Sequence, residues 1–307
     1  MRCPKCEFDH PLQTTECLKC GIVFSRYQAA IEAAATQASV AAPLAVEPLP
    51  IVPATDFLED RADPAQEFKY RIFALPVALL VARVLTGTGL RMVFGMLAMV
   101  LHESGHAITA WFAGRWAVPM PWVTMHGDSR SWPVVLLLAS AIIFGGYVAW
   151  RTERWPWLCA AVLLLLFQLT MLSVPSEAWI VFGGDGGALV LGTILMATFY
   201  APRESALARS WGLRWGLLAI GALAFMQVYR LWSGPYADFP FGEIEGVNLS
   251  DPSLLTEMFG WSTAQLVDRY LRLADVCFAA LLAVYVWGLI SAYREKRSAG
   301  PLEKLPS

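Results

Sequence analysis

The chain has 307 residues, 57% of them hydrophobic, and a mean hydropathy of +0.50. Soluble domains sit near about 45–50% apolar, so this composition excludes an ordinary soluble enzyme. A net charge of −2 and an isoelectric point near 6.1 give no global basic field, which argues against nucleic acid as the main partner.

The N-terminus, "MRCPKCEFDH", has no apolar core of the kind a signal peptide carries, so membrane insertion is expected from internal segments. Residues 1–27 instead hold two C-x2-C knuckles, Cys3/Cys6 and Cys17/Cys20. Four thiolates at this spacing suit a tetrahedral zinc site. A fragment this small has too little core to fold alone, and metal binding would supply the missing free energy. Two disulfides or free thiols are the alternative. A redox pair fits less well, because no βαβ pattern follows. The head resembles the small zinc-ribbon modules of bacterial membrane proteins, with "CGIVFSRY" (20–27) in the place of the closing strand. Such modules dock a protein or nucleic acid, and the absence of a basic field favours a protein. Thiolates that hold zinc call for a reducing compartment, so the head is expected in the cytoplasm.

Residues 28–70 are rich in Ala and Pro and show no amphipathic period, so they read as a tether. The apolar runs follow. Stretches 72–90, 92–113, 134–150, 156–174, 178–200, 212–232 and 271–293 approach the roughly 20 apolar residues that a spanning helix needs. The first is interrupted by Arg83. Cys159 and Cys277 lie in these runs and read as small packing residues. The chain thus divides into a head (1–27), a linker (28–70), a transmembrane body (71–295) and a tail (296–307).

Short loops rich in Lys and Arg face the cytoplasm. The tail "YREKR" (293–297), the loop with Arg203, Arg209 and Arg214, and the loop with Arg151 and Arg154 all fit inside. The acidic loop 233–270 fits outside. This places both termini in the cytoplasm only if 72–90 does not cross.

The run "MLAMVLHESGHAITAWFAG" (96–114) carries His102, Glu103 and His106 as H-E-x-x-H. Positions i and i+4 share a helix face, so both imidazoles can bind one metal ion, with Glu103 beside them as a general base. Ionisable groups in an apolar helix are functional by default, although a buried polar cluster bonded to neighbouring helices is the alternative. A catalytic zinc needs a third protein ligand. Asp185, in "VFGGDGGALVLG" (181–192), is the acidic residue well inside another run; His126 and Glu177 are the other candidates. The glycines around Asp185 would let two helices approach closely.

"HESGHA" together with a later "DGG" in a separate span resembles the site-2 protease family of intramembrane zinc metallopeptidases. The resemblance covers roughly residues 92–200. It implies His102, His106 and Asp185 as zinc ligands and Glu103 as the catalytic base. It also implies a single-pass membrane protein as substrate, such as an anti-sigma factor or a remnant signal peptide, and a bacterial inner-membrane location. The family's two zinc-binding helices run the same way, whereas two spans between them here would make them antiparallel. An Asn-Pro element upstream of the second motif is missing, because the only asparagine is Asn248. Many relatives carry a PDZ domain, for which no segment here is long enough.

The expected fold is an all-α polytopic membrane protein of about 6–7 transmembrane helices, with a site-2-protease-like core behind a zinc ribbon. Two zinc ions are expected, one catalytic and one structural. Residues 115–133, a Pro/Trp/Val mix unsuited to a helix, are a candidate edge for an unwound substrate strand, or else an interfacial loop. A catalytically inactive scaffold that recruits partners through the ribbon, and a metal transporter or sensor, are the alternative functions.

Overall fold

The computed structural model describes residues 2–9, 14–29, 32, 64–89, 91–202, 205, 207, 210–242, 244–245 and 248–299. Residues 30–31 and 33–63 of the expected linker, Arg203, Arg209, Glu243 and the tail residues 300–307 lie outside the described residues. The chain divides into two units, Met1–Asp60 and Arg61–Ser307.

In the first unit the two knuckles repeat one backbone pattern. The Cys3 N–H donates to Phe8 O and the Glu7 N–H to Cys3 O; Cys17, Ile22 and Gly21 repeat the set. The turn needs a left-handed residue after each second cysteine, and Glu7 (φ 58°) and Gly21 (φ 71°) supply it. Only Val23 of the expected closing strand makes a bridge, to Glu16, and residues 24–29 are helical.

The second unit is helical: α1 (Pro64–Leu85), α2 (Arg91–Phe112), α3 (Trp132–Arg151), α4 (Trp155–Ser173), α5 (Glu177–Ala197), α6 (Trp211–Ser233), a short α7 (Asp251–Glu257) and α8 (Thr263–Ala299). Two antiparallel hairpins interrupt it: β1 (Ala117–Pro119) with β2 (Thr124–His126), and β3 (Ile244–Glu245) with β4 (Asn248–Leu249). Each expected span falls on a helix. Among the described residues five helices, α3, α4, α5, α6 and α8, are long and apolar enough to cross a membrane. The protein is therefore an all-α protein suited to a bilayer.

The apolar windows of α5 and α6 are 56% and 44% buried, against 17% and 11% for α3 and α4. So α5 and α6 form the centre, and α3–α4 is an outer hairpin whose Leu136, Leu137, Phe144, Leu163 and Leu169 face outward. Such a surface is stable only against lipid or another apolar partner. At the centre α5 and α6 run antiparallel, with Gly192 against Gly221 and Asp185 against Trp232.

α1 starts earlier than the sequence suggests, because Glu67 and Arg71 are an i,i+4 pair buried in the bundle. Glu67 also accepts two hydrogen bonds from Arg214, at 2.6 and 2.9 Å. Arg214 therefore sits inside α6 in a buried ion pair and is not a loop charge. Near the other end Arg230 donates to Arg83 O, and both links join residues 147 apart. This constant offset means that α1 lies alongside α6 in the same direction. The far end of α8 returns to the start of α1, where Tyr293 meets Phe68.

α2 has a different course. Near its start Gly95 meets Gln227, in the last third of α6, and just past its end Arg115 pairs with Glu177 at the start of α5. Those two regions share one end of the antiparallel α5–α6 pair, so α2 crosses the pair obliquely near that end.

Candidate functional site

The crossing of α2 over α5 depends on missing side chains. A Cβ on Gly105 would fall on the backbone of Gly183 and Gly187, and a Cβ on Gly184 would fall on the imidazoles of His102 and His106. Glycine at both places lets the H-E-x-x-H face press directly against α5.

The two histidines are fixed through their Nδ1 atoms. His102 Nδ1 meets Asp185 Oδ1 at 3.0 Å, and His106 Nδ1 meets Ile180 O at 2.8 Å. A carbonyl oxygen only accepts, so His106 carries its proton on Nδ1 and presents a lone pair on Nε2. The carboxylate of Asp185 sets the same tautomer on His102. The two Nε2 atoms then face each other at 3.1 Å.

A third group joins them that the sequence did not reveal. Asp251 Oδ2 lies 3.3 Å from His102 Nε2 and 3.0 Å from His106 Nε2. With both Nδ1 atoms donating, three electron-rich atoms converge, as the ligands of a bound cation do. In a tetrahedral shell with bonds of about 2.0–2.1 Å, neighbouring ligand atoms sit roughly 3.3–3.4 Å apart. The triangle matches that size, so His102, His106 and Asp251 could hold a metal ion. The His102, His106, Asp185 and Asp251 side chains are 14%, 13%, 12% and 12% exposed, which shields the site without sealing it.

Asp251 opens the short α7, which has Pro252 in its first turn.

Of the sequence candidates, Asp185 reaches the site through His102 Nδ1, while its Oδ2 accepts from Trp232 Nε1 at 2.8 Å. Glu177 pairs with Arg115 at 2.9 Å, and His126 lies in β2, with Nδ1 3.5 Å from Gly127 O. Glu103 is 6% exposed, and its Oε2 lies 2.7 Å from the Thr124 hydroxyl of β2. The segment 115–133 is therefore a hairpin seated at the glutamate, with Val118, Trp122 and Met125 exposed. A cavity of about 200 Å³ adjoins His102, lined also by Asp185, Asp238, Asp251 and Gln227 among others. Among the described residues Gln227 Oε1 is buried with no hydrogen-bond partner, so a carboxamide stands on the cavity wall although the expected asparagine is missing.

The four head cysteines form a second group that could hold a metal ion. Sγ–Sγ distances of 3.8 Å (Cys3–Cys20) and 3.6 Å (Cys6–Cys17) suit a tetrahedron with metal–sulfur bonds of about 2.3 Å. Burial pushes the Cys6, Cys17 and Cys20 thiols up. At Cys17 the backbone N–H groups of Cys20 and Lys19 overcome it and bring the thiol down to about 5. Cys20 is pushed up to about 12 by burial and by the charge shared with Cys17. Four thiolates thus need a cation to coexist. Of the remaining cysteines Cys277 is buried in the core, and Cys159 is exposed.

Comparison of the chain with protein-family models, with curated proteins and with solved structures gave no match.

Proposed function

We propose that the protein is a zinc-dependent intramembrane protease, similar to the site-2 proteases, that hydrolyses a peptide bond in a membrane-spanning protein. The observation that carries this reading is the convergence of the His102 and His106 Nε2 atoms with a carboxylate, beside a buried Glu103, in a lipid-facing bundle. An N/O ligand set of this size suits zinc, as does the four-thiolate head. Bound zinc supplies Lewis acidity at a carbonyl oxygen.

The chain's own residues divide the remaining work. Glu103 takes a proton from the attacking water and delivers it to the departing amine. Thr124 orients Glu103 by its hydrogen bond. A helix in lipid is locked in its own backbone hydrogen bonds, so the substrate must unwind first. The β1–β2 hairpin offers an edge to which an unwound strand can add, next to the base. Gln227 offers an amide to a polar group in the cavity.

The oblique α2 also gives a consistent topology. With α1 crossing beside α6 and α2 lying across one end, α1, α3, α4, α5, α6 and α8 make six crossings. Both termini, and the Arg151/Arg154 loop, then face the cytoplasm by the positive-inside rule. The metal site lies toward the outer end, under the acidic loop.

The test is cleavage of a single-pass reporter protein co-reconstituted with the purified chain in liposomes. Glu103→Gln should reduce cleavage by about 10²–10⁴-fold, the contribution of a positioned general base, with zinc per chain unchanged. Cleavage at the wild-type rate would overturn the reading. A wild-type chain that cleaves none of a panel of single-pass proteins would favour the scaffold.

A further inference from the structure

Two aspartates reach the histidines of the bundle from opposite sides. We propose that Asp251 completes the protein's share of the metal shell, and that Asp185 is a positioning residue that acts through His102. This inference rests on reading the cluster as a metal centre.

The first argument is which nitrogen each carboxylate touches. Asp185 Oδ1 lies on His102 Nδ1, and Asp251 Oδ2 lies against both Nε2 atoms. The two nitrogens of an imidazole point away from each other, so one ion cannot be held by Nε2 and by a carboxylate placed at Nδ1. His106 Nδ1 is taken up by Ile180 O, which leaves Nε2 as its metal-facing atom. The ion therefore belongs on the Nε2 side, where Asp251 is.

The second argument is what already occupies Asp185. Its Oδ1 faces His102 and its Oδ2 accepts from Trp232, whose ring is 1% exposed and stacked on Tyr270 at 4.3 Å. To bind the ion Asp185 would have to leave both partners. A carboxylate on the far nitrogen of a metal-binding histidine is the usual means of fixing ring and tautomer and of raising ligand basicity.

The third argument is that Asp251 is held in place. Ser250 and Ser253 on either side are fully buried, and so is Leu255 one turn on. The Ser250 hydroxyl donates to Pro240 O, and the Gly242 N–H donates to Ser253 Oγ at 2.8 Å. Buried hydroxyls tied to the preceding loop hold α7 at one angle, as a ligand-bearing turn requires. The consequence is a metal site completed from outside the long helices: α7 must dock before the shell is whole.

The experiment uses the full-length chain in detergent, with zinc per chain and cobalt(II) spectra as readouts. Wild type should hold two ions, one in each group that could bind metal. Asp251→Ala should hold one. Asp185→Asn should keep two but release the bundle ion about 10–100-fold more readily to a chelator, the usual effect of losing an outer partner. Asp251→Cys should add one thiolate's worth of charge-transfer absorption to that of the four head cysteines in the cobalt-loaded chain. Asp185→Cys should add none. The reverse pattern, with the new band at position 185 and two ions retained by Asp251→Ala, overturns the assignment while the metalloprotease reading stands. If wild type holds one ion and His102→Ala does not change that, the proposal and the reading fall together. Melting temperatures close to wild type show that the cysteine variants are folded.

Discussion

The protein carries two groups fit for a metal ion, and they are built in opposite ways. In the head the ligands are local: Cys3 and Cys20 are 17 residues apart, and the buried core is Cys3, Cys17 and Phe24. Two of those three residues belong to the group that could bind metal. In the bundle His102 meets Asp185 across 83 residues of sequence, and Asp251 arrives from further still. There the pocket stands on helix packing that involves no metal. An ion held by the four cysteines would help fold the head, whereas in the bundle folding itself assembles the group. The same chemistry is thus an element of stability in one place and an occupant in the other.

Chelation should separate the two most strongly. Stripping metal from the whole chain removes the head's folding energy, which for structural zinc is about 10–16 kcal/mol at neutral pH. Backbone amides of residues 2–9 and 14–29 should lose their hydrogen-exchange protection, while those of α5 and α6 keep theirs. Acid should do the same, because protons compete for the thiolates: head stability is present when all four are ionised on the metal and is lost as pH falls. Of Cys6, Cys17 and Cys20, Cys17, at about 5, is the last to take its proton. If α5 exchanged together with the head, the distinction would collapse.

Gly184→Ala should have a smaller effect, and in the bundle alone. The added methyl falls on both imidazoles. Overpacking costs typically about 1–3 kcal/mol, so the melting temperature should fall and the bundle ion should be lost while the head keeps its own. Full occupancy in that variant would mean that the α2–α5 crossing adjusts freely, against the view of a preformed pocket. Thr124→Val should have the smallest effect. Losing one hydrogen bond to Glu103, about 1 kcal/mol, should lower kcat roughly fivefold with both ions in place. A change in metal content would show that the hairpin also supports the ligands.

What the sequence made legible follows the same division. H-E-x-x-H and the paired knuckles could be read because their ligands are fixed by helix or turn geometry over a few residues. The apolar runs gave every long helix, because length and hydropathy are local quantities. Asp251 could not be read: in "NLSDPSLL" it looks like a helix-opening acid in an acidic loop, and only tertiary folding brings it to the histidines. Ser250-Asp251-Pro252 ahead of two leucines was the one available signal, that of a helix start. Arg214 reads as a loop charge for the same reason, since its partner Glu67 lies 147 residues away. The direction of α2 was not legible either. Periodicity shows which face is apolar, but not whether a helix runs along its neighbours or across them.

The Glu67–Arg71–Arg214 cluster sets an order on synthesis. Glu67 leaves the ribosome 147 residues before Arg214 completes the neutralising network that it shares with Arg71. At about 5–20 residues per second that is an interval of roughly 7–30 s. During that time α1 carries a buried-type glutamate and arginine with only each other as partners. A lone charged helix partitions poorly into lipid, so on the proposed six-crossing topology α1 waits at the translocon or the membrane surface until α6 emerges and the two can enter side by side. The first hydrophobic segment to be translated is therefore among the last to be seated.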